Sequence, residues 1–298
     1  MSSRLSARAI LGLVVVTLAG ACSKPDADAL LKKANAYAQQ SRLPEAIIEY
    51  RRALQADPRR GDIRQKLAEA YLRSHDQNSA LKEYVRAADL LPNDPAAQLQ
   101  AGSILLLAGA FEDAKARANR VIKLDPKSAD GVILLGNALA GLKDMDGAIA
   151  EYQEAIALNP TQDSTYTNLG VIQFVRGQRA DAEATFRKAI EIGPRSVRAR
   201  MALANFLWSS GRAPEAERTL KDAVGLDPAN VAANSALGTF YVATGRANEA
   251  EPYFQAIAKN SNSLSAIVLA DYYIAARRLD DAERILRNLT AKGDKDAA

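Results

Sequence analysis

An alanine returns along this chain at a fixed interval. Ala46 is followed by Ala80, Ala114, Ala148, Ala182, Ala216 and Ala250, each 34 residues after the last, and a final step of 32 reaches Ala282. Four residues after each alanine stand Tyr50, Tyr84, Ala118, Tyr152, Phe186, Leu220, Phe254 and Leu286. Twelve after it stand Pro58, Pro92, Pro126, Pro160, Pro194 and Pro228. A period of this length means a stack of small units, none of which can bury its apolar residues alone.

The other half of each period is as regular. Leucine and a small residue pair up at Leu67–Ala68, Leu135–Gly136, Leu169–Gly170, Leu203–Ala204, Leu237–Gly238 and Leu269–Ala270. Tyr37, Tyr71, Tyr241 and Tyr273 hold a further shared place, and turn glycines recur at Gly109, Gly177, Gly211 and Gly245. Each unit therefore reads as two apolar stretches of helical spacing, A and B, joined by a turn. The small residues admit close helix contacts. A proline after Leu-Asp or Leu-Asn stops helix B, whereas Pro44 and Pro214 lie in a first turn, where the missing N–H costs nothing. The expected fold is all-α, with about eight helix-turn-helix units over 27–298, starting near 27, 61, 95, 129, 163, 197, 231 and 263.

Three places depart from the pattern. The third unit carries Ala101, Leu105 and Ala118 at its signature positions. Pro252 falls five residues into a B helix and is expected to kink it or delay its start, altering the rise between the last two units. The last helix carries Ile285, Leu286 and Leu289 on the face that packs, in other units, against a following A helix. Only "TAKGDKDAA" comes after it. Three readings stand side by side: more chain follows in a longer protein, the face docks on a partner, or the tail folds back over it.

Composition excludes several chemistries. The chain has one cysteine, Cys22, and one histidine, His75. No internal disulfide framework and no cysteine or histidine zinc site can be built, and Ser/His or Cys/His catalysis is disfavoured. His75 falls where other units have a turn glycine and reads as a solvated turn residue. "GNALAGLKDMDG" (136–147) lacks the lysine and serine or threonine of a phosphate loop. Of 39 lysines and arginines, Arg4 and Arg8 lie in 1–21, leaving 37 against 35 acidic residues. A body so near neutrality has no electrostatic footprint for nucleic acid. No cofactor, metal or small-molecule substrate is expected, and no enzyme activity.

Residues 1–21 have the layout of a secretory signal. Arg4 and Arg8 precede an apolar run, Ala9 to Ala19, about half the length of a spanning helix. Ala19, Gly20 and Ala21 then lead to Cys22. This stretch resembles the lipobox of bacterial lipoproteins, with Ala19 where that family prefers leucine. The resemblance implies cleavage before Cys22, lipidation of its thiol, and a short tether over 22–26. By the same analogy Ser23 implies sorting to the periplasmic face of the outer membrane.

The repeat itself resembles the tetratricopeptide repeat, whose signature combines Trp-x₂-Leu-Gly-x₂-Tyr, Ala-x₃-Phe and Pro every 34 residues. The resemblance covers 27–296. It implies a right-handed superhelix, an α-solenoid whose concave groove is lined by A helices, with ligand contacts at the second, fifth, ninth, twelfth and thirteenth places of a unit. Carried over place by place, these are Ile133, Asn137, Thr167, Val171, Phe174, Met201, Asn205, Trp208, Ser235 and Thr239. Phe174 and Trp208 hold one place on adjacent A helices. Asn35, Asn137 and Asn205 share another, where an amide suits the backbone of an extended peptide. Lys32, Lys66 and Arg198 are scattered and do not form the carboxylate clamp of chaperone-tail binders. The implied function is a lipid-anchored scaffold of the bacterial envelope that docks a peptide or helix of a protein partner. The alternatives are a pilotin-like or outer-membrane assembly lipoprotein, or the front module of a longer export or exopolysaccharide protein.

Overall fold

The computed structural model describes residues 26–259 and 263–296. Cys22, the signal-like segment and most of the tether lie outside the described residues. The chain forms α1 (Ala27–Gln39), α2 (Leu43–Ala56), α3 (Gly61–Arg73), α4 (Gln77–Leu90), α5 (Pro95–Leu107), α6 (Phe111–Leu124), α7 (Ala129–Gly141) and α8 (Met145–Leu158). It continues as α9 (Asp163–Val175), α10 (Arg179–Ile192), α11 (Val197–Ser209), α12 (Ala213–Leu226), α13 (Val231–Ala243), α14 (Ala247–Ala258), α15 (Ser263–Ala275) and α16 (Leu279–Asp296). Every odd-numbered helix begins at the place the repeat assigns to a unit. Among the described residues there is no strand.

Two bodies result, α1–α4 within residues 1–90 and α5–α16 within 91–298. In each, helices A and B of a unit pack as a pair, and B packs on the next A. Local chemistry starts and stops the helices. Asp94, Ser128, Ser196 and Asn230 accept backbone N–H bonds at the first turns of α5, α7, α11 and α13. Each A helix ends in a left-handed residue, at Ser41, His75, Gly109, Lys143, Gly177, Gly211, Gly245 and Arg277. The next N–H then reaches back five residues, as from Arg42 to the Tyr37 carbonyl at 2.9 Å and from Arg246 to that of Tyr241 at 2.8 Å. This Schellman closure satisfies a carbonyl that would otherwise be orphaned and turns the chain into helix B.

The periodic residues make the core. Ala46, Ala80, Ala114, Ala148, Ala182, Ala216 and Ala250 have no exposed surface. The B-helix ring four residues on lies over the small residue of its own A helix. A Cβ built on Gly170 would stand 2.7 Å from the Phe186 ring, and one on Gly238 2.8 Å from Phe254, so glycine sets how closely those pairs approach. In the third unit Ala101, Leu105 and Ala118 are buried despite the missing aromatics. Pro252 lies inside α14 without delaying it, contrary to one arm of the sequence expectation: α14 starts 34 residues after α12, at the equivalent place. The junction beyond it, 260–262, lies outside the described residues.

An ionic latch joins successive units in the second body. Arg212 at the start of α12 donates to Glu215 of its own helix at 2.6 Å and to Glu183 of α10 at 2.7 Å. Arg246 does the same with Glu249 and, at 2.6 Å, with Glu217. Arg278 repeats it with Asp281 and, at 2.6 Å, with Glu251. In the last two cases a tyrosine completes the set. The hydroxyls of Tyr241 and Tyr273 donate to Glu217 and Glu251 at 3.0 and 2.9 Å, while the guanidinium sits 4.7 and 4.6 Å from their ring centres. Exposed ion pairs contribute little singly, but a charge shared among several donors is held more firmly.

Candidate functional site

Several residues at the places expected to line a groove meet between α9 and α11. Thr167, Val171 and Phe174 from α9 and Met201 and Asn205 from α11 line one open pocket of about 390 Å³. Phe186 and Phe206 form its floor, with Ala202 beside them. Five of the residues expected from sequence are therefore brought together. On α11, residues 198, 201 and 205 fall three and four apart, which places them on one helical face.

The pocket has an apolar wall and two polar handles. Val171 is exposed, and Phe174 packs edge-on against Phe206 at 5.4 Å while leaving part of its ring open. The Asn205 amide is exposed and has no hydrogen-bond partner among the described residues, so donor and acceptor are both free. Arg198, expected from sequence only as a scattered cation, is the second handle. Its Nη2 donates to the Asn168 side-chain Oδ1 at 2.6 Å, and the exposed guanidinium has no other hydrogen-bond partner among the described residues. The second place of the sixth unit was the signal that could have found it.

Thr167 and several of the remaining expected residues make other contacts, and some lie outside this pocket. Thr167 reaches the pocket but is only 2% exposed, and its hydroxyl donates to the Asp163 carbonyl one turn back at 3.0 Å. Asn137 accepts the Tyr152 hydroxyl at 2.7 Å and, weakly, the Asn168 amide at 3.5 Å. Burial pushes the Tyr152 hydroxyl up to about 12, so it remains a neutral donor. Asn35 accepts Tyr50 in the same way at 2.7 Å. These two asparagines tie helix A to helix B of their own units. Asn205 has Leu220 in the tyrosine place, which leaves its amide uncommitted. Trp208 is half-buried, lies outside the pocket, and packs edge-on against Phe240 of the next A helix at 5.1 Å. Thr239 is exposed and also lies outside it, while Ile133 and Ser235 are half-buried.

At the far end of the second body, Ile285 packs into the core, Leu289 is half-buried and Leu286 is 40% exposed. Leu286 lines an open apolar depression of about 370 Å³ with Ile274, Leu279 and Ala282. Among the described residues no group of histidine, cysteine, aspartate and glutamate is placed to hold a metal, and no helix is long and apolar enough to cross a membrane.

Comparison with known proteins agrees with this architecture. Models of the tetratricopeptide repeat match residues 8–60 and 96–128, and the model of the middle TPR-like domain of cilia and flagella-associated protein 70 matches 134–262. A tetratricopeptide-repeat protein from Parabacteroides merdae superposes over 82% of this chain and 97% of its own, with a TM-score of 0.67 at 16% identity. A thermophilic repeat protein from Thermus thermophilus covers 61% of this chain and 99% of its own, with a TM-score of 0.56 at 20% identity. The mitochondrial import receptor subunit TOM70 of Homo sapiens is 26% identical over 174 residues. That match spans 56% of this chain and only 29% of the receptor.

Proposed function

Because this chain is a repeat protein of the tetratricopeptide type, we propose that it is a non-catalytic interaction scaffold. In this reading it is held to the bacterial envelope by a lipid on Cys22 and captures an extended segment of a partner protein between α9 and α11. The observation that carries the binding reading is the pocket itself: an apolar wall flanked by an amide and a guanidinium with free hydrogen-bonding capacity. An extended strand placed there sets an aliphatic or aromatic side chain against Val171, Phe174 and Met201. Asn205 then bonds its backbone, and Arg198 meets a carboxylate about 10 Å along α11. Such sites are anchored by a few desolvated side chains, with polar contacts fixing register.

The test is a panel of extended peptides, each with one large apolar side chain and an acidic residue within four places, measured by fluorescence anisotropy. Val171→Asp and Arg198→Ala are each expected to weaken a bound peptide by roughly tenfold or more, and Asn35→Ala to leave it unchanged. No binding across the panel, or binding indifferent to both pocket variants, would sink the reading. The membrane part rests on the apolar run and small residues that precede the only cysteine. Cys22→Ser is expected to move the protein from the membrane fraction to the soluble periplasmic fraction, and unchanged fractionation would remove the anchor.

A further inference from the structure

We infer that this chain associates head to tail with a second copy of itself, α1 of one molecule seating on α15 and α16 of the next. The two surfaces are the separated halves of the joint that links one unit to the next inside the chain.

The acceptor half lies on the last unit. Leu286 is 40% exposed, yet its equivalents Tyr50, Tyr84, Ala118, Tyr152, Phe186, Leu220 and Phe254 are all 8% exposed or less. Leu289 is half-buried where Val121, Ala155, Ala189, Ala223 and Ile257 are sealed. Ile274, 48% exposed, holds the place from which Phe174 and Trp208 reach the next A helix. Glu283 falls where Glu183, Glu217 and Glu251 accept the latch arginine of a following unit. It pairs with Arg287 of its own helix, as Glu183 does with Arg187. Among the described residues it has no arginine from another unit.

The donor half lies on the first unit. Arg42 donates to Glu45 at 2.7 Å and lies 4.6 Å from the Tyr37 ring centre, matching Arg246 over Tyr241 and Arg278 over Tyr273. Its Nη1 and the Tyr37 hydroxyl, which in those units turn to the glutamate of the preceding B helix, have no partner among the described residues. Ala29 and Ala36 of α1 are exposed, whereas their equivalents Ala199 and Phe206, and Ala233 and Phe240, are buried against the previous unit. A cation, a phenol and a small-residue face thus stand at one end, with an acid and an apolar depression at the other. Seating α1 on α16 makes the Arg42–Glu283 and Tyr37–Glu283 contacts and covers Leu286 and Ile274. Because each copy carries both halves, the association is heterologous.

The test is sedimentation velocity on the full chain from about 1 to about 300 µM, a range that spans the weak affinity of a single helix-on-helix contact. The wild type is expected to gain mass with concentration. Arg42→Glu and Glu283→Arg are each expected to weaken this by at least about tenfold, because each sets like charges opposite one another. Mixing the two variants restores opposite charges across every joint and is expected to restore association. Circular dichroism establishes that both variants are folded, and peptide binding at α9 and α11 stays unchanged because those helices lie outside the joint. A wild type that stays monomeric throughout, as it would if a different protein covers this face, overturns the inference. So does association untouched by either variant, or a mixture that stays dissociated.

Discussion

At the residue scale, one backbone conformation punctuates the whole chain. The left-handed residue that ends each A helix is glycine in four units, and serine, histidine, lysine and arginine in Ser41, His75, Lys143 and Arg277. A side chain costs about 1 kcal/mol or more in that conformation, because Cβ crowds the following carbonyl. His75→Gly and Lys143→Gly are therefore expected to stabilise the protein by about 0.5–1 kcal/mol each, and Gly177→Ala to destabilise it by about 1 kcal/mol. Beyond its two chain neighbours, no residue comes within 4 Å of a Cβ built on Gly177, so its cost would come from the local backbone alone. Thermal or urea unfolding of the three variants checks both signs together. The four glycines were readable in the sequence because they recur, and the histidine was readable as their substitute. The asparagines were not. Asn35 and Asn205 share a place, but only a tyrosine 15 residues later decides whether the amide is committed, and Leu220 frees Asn205.

At the scale of elements, aromatic placement was the harder inference. Periodicity put Phe174 and Trp208 in equivalent places, and both reach the next A helix, but only Phe174 also opens onto the pocket. Each ring meets a phenylalanine of the next A helix, Phe206 or Phe240, so that contact does not separate them; only the pocket lining does, and a repeat register carries no such information. Trp208→Ala is thus expected to cost roughly 2 kcal/mol of stability, less than for a fully buried ring, while peptide binding at α9 and α11 changes little. Denaturant titration paired with anisotropy separates the two effects. The latches were also invisible as units in the sequence, because each spans about 30 residues. Glu217 receives Arg246, Lys221 and Tyr241, and hydrogen bonds from the first two bring its carboxyl down to about 2. A depressed carboxyl supplies stability that is whole above its unfolded value and lost as pH falls through the folded one. The midpoint of unfolding is therefore expected to drop between about pH 5 and pH 2, and Glu217→Gln to lower it at neutral pH and flatten that acid limb.

At the scale of the molecule, stability in a repeat array is close to a sum of unit terms and nearest-neighbour joints. Within the second body an inner unit such as α9–α10 is braced on two sides, whereas α1 of the first body and α16 of the second leave residues exposed that are sealed in other units, Ala36 and Leu286. Hydrogen exchange is expected to rank the helices accordingly, with α1 and α16 opening first and α9 to α13 last. The cluster running from Ala182 to Ala282 ties seven helices, α10 to α16, through Phe206, Leu220, Phe240 and Phe254, so protection at its centre, in α11 to α13, should approach the global value. Self-association makes this ranking depend on concentration. A joint between copies braces the two ends and leaves the middle as it was, so raising the protein concentration should slow exchange in α1 and α16 and not in α11. Exchange that slows uniformly would mean association acts through global stability. Slowing confined to the two ends would mean that the joint linking units within the chain also links one chain to the next.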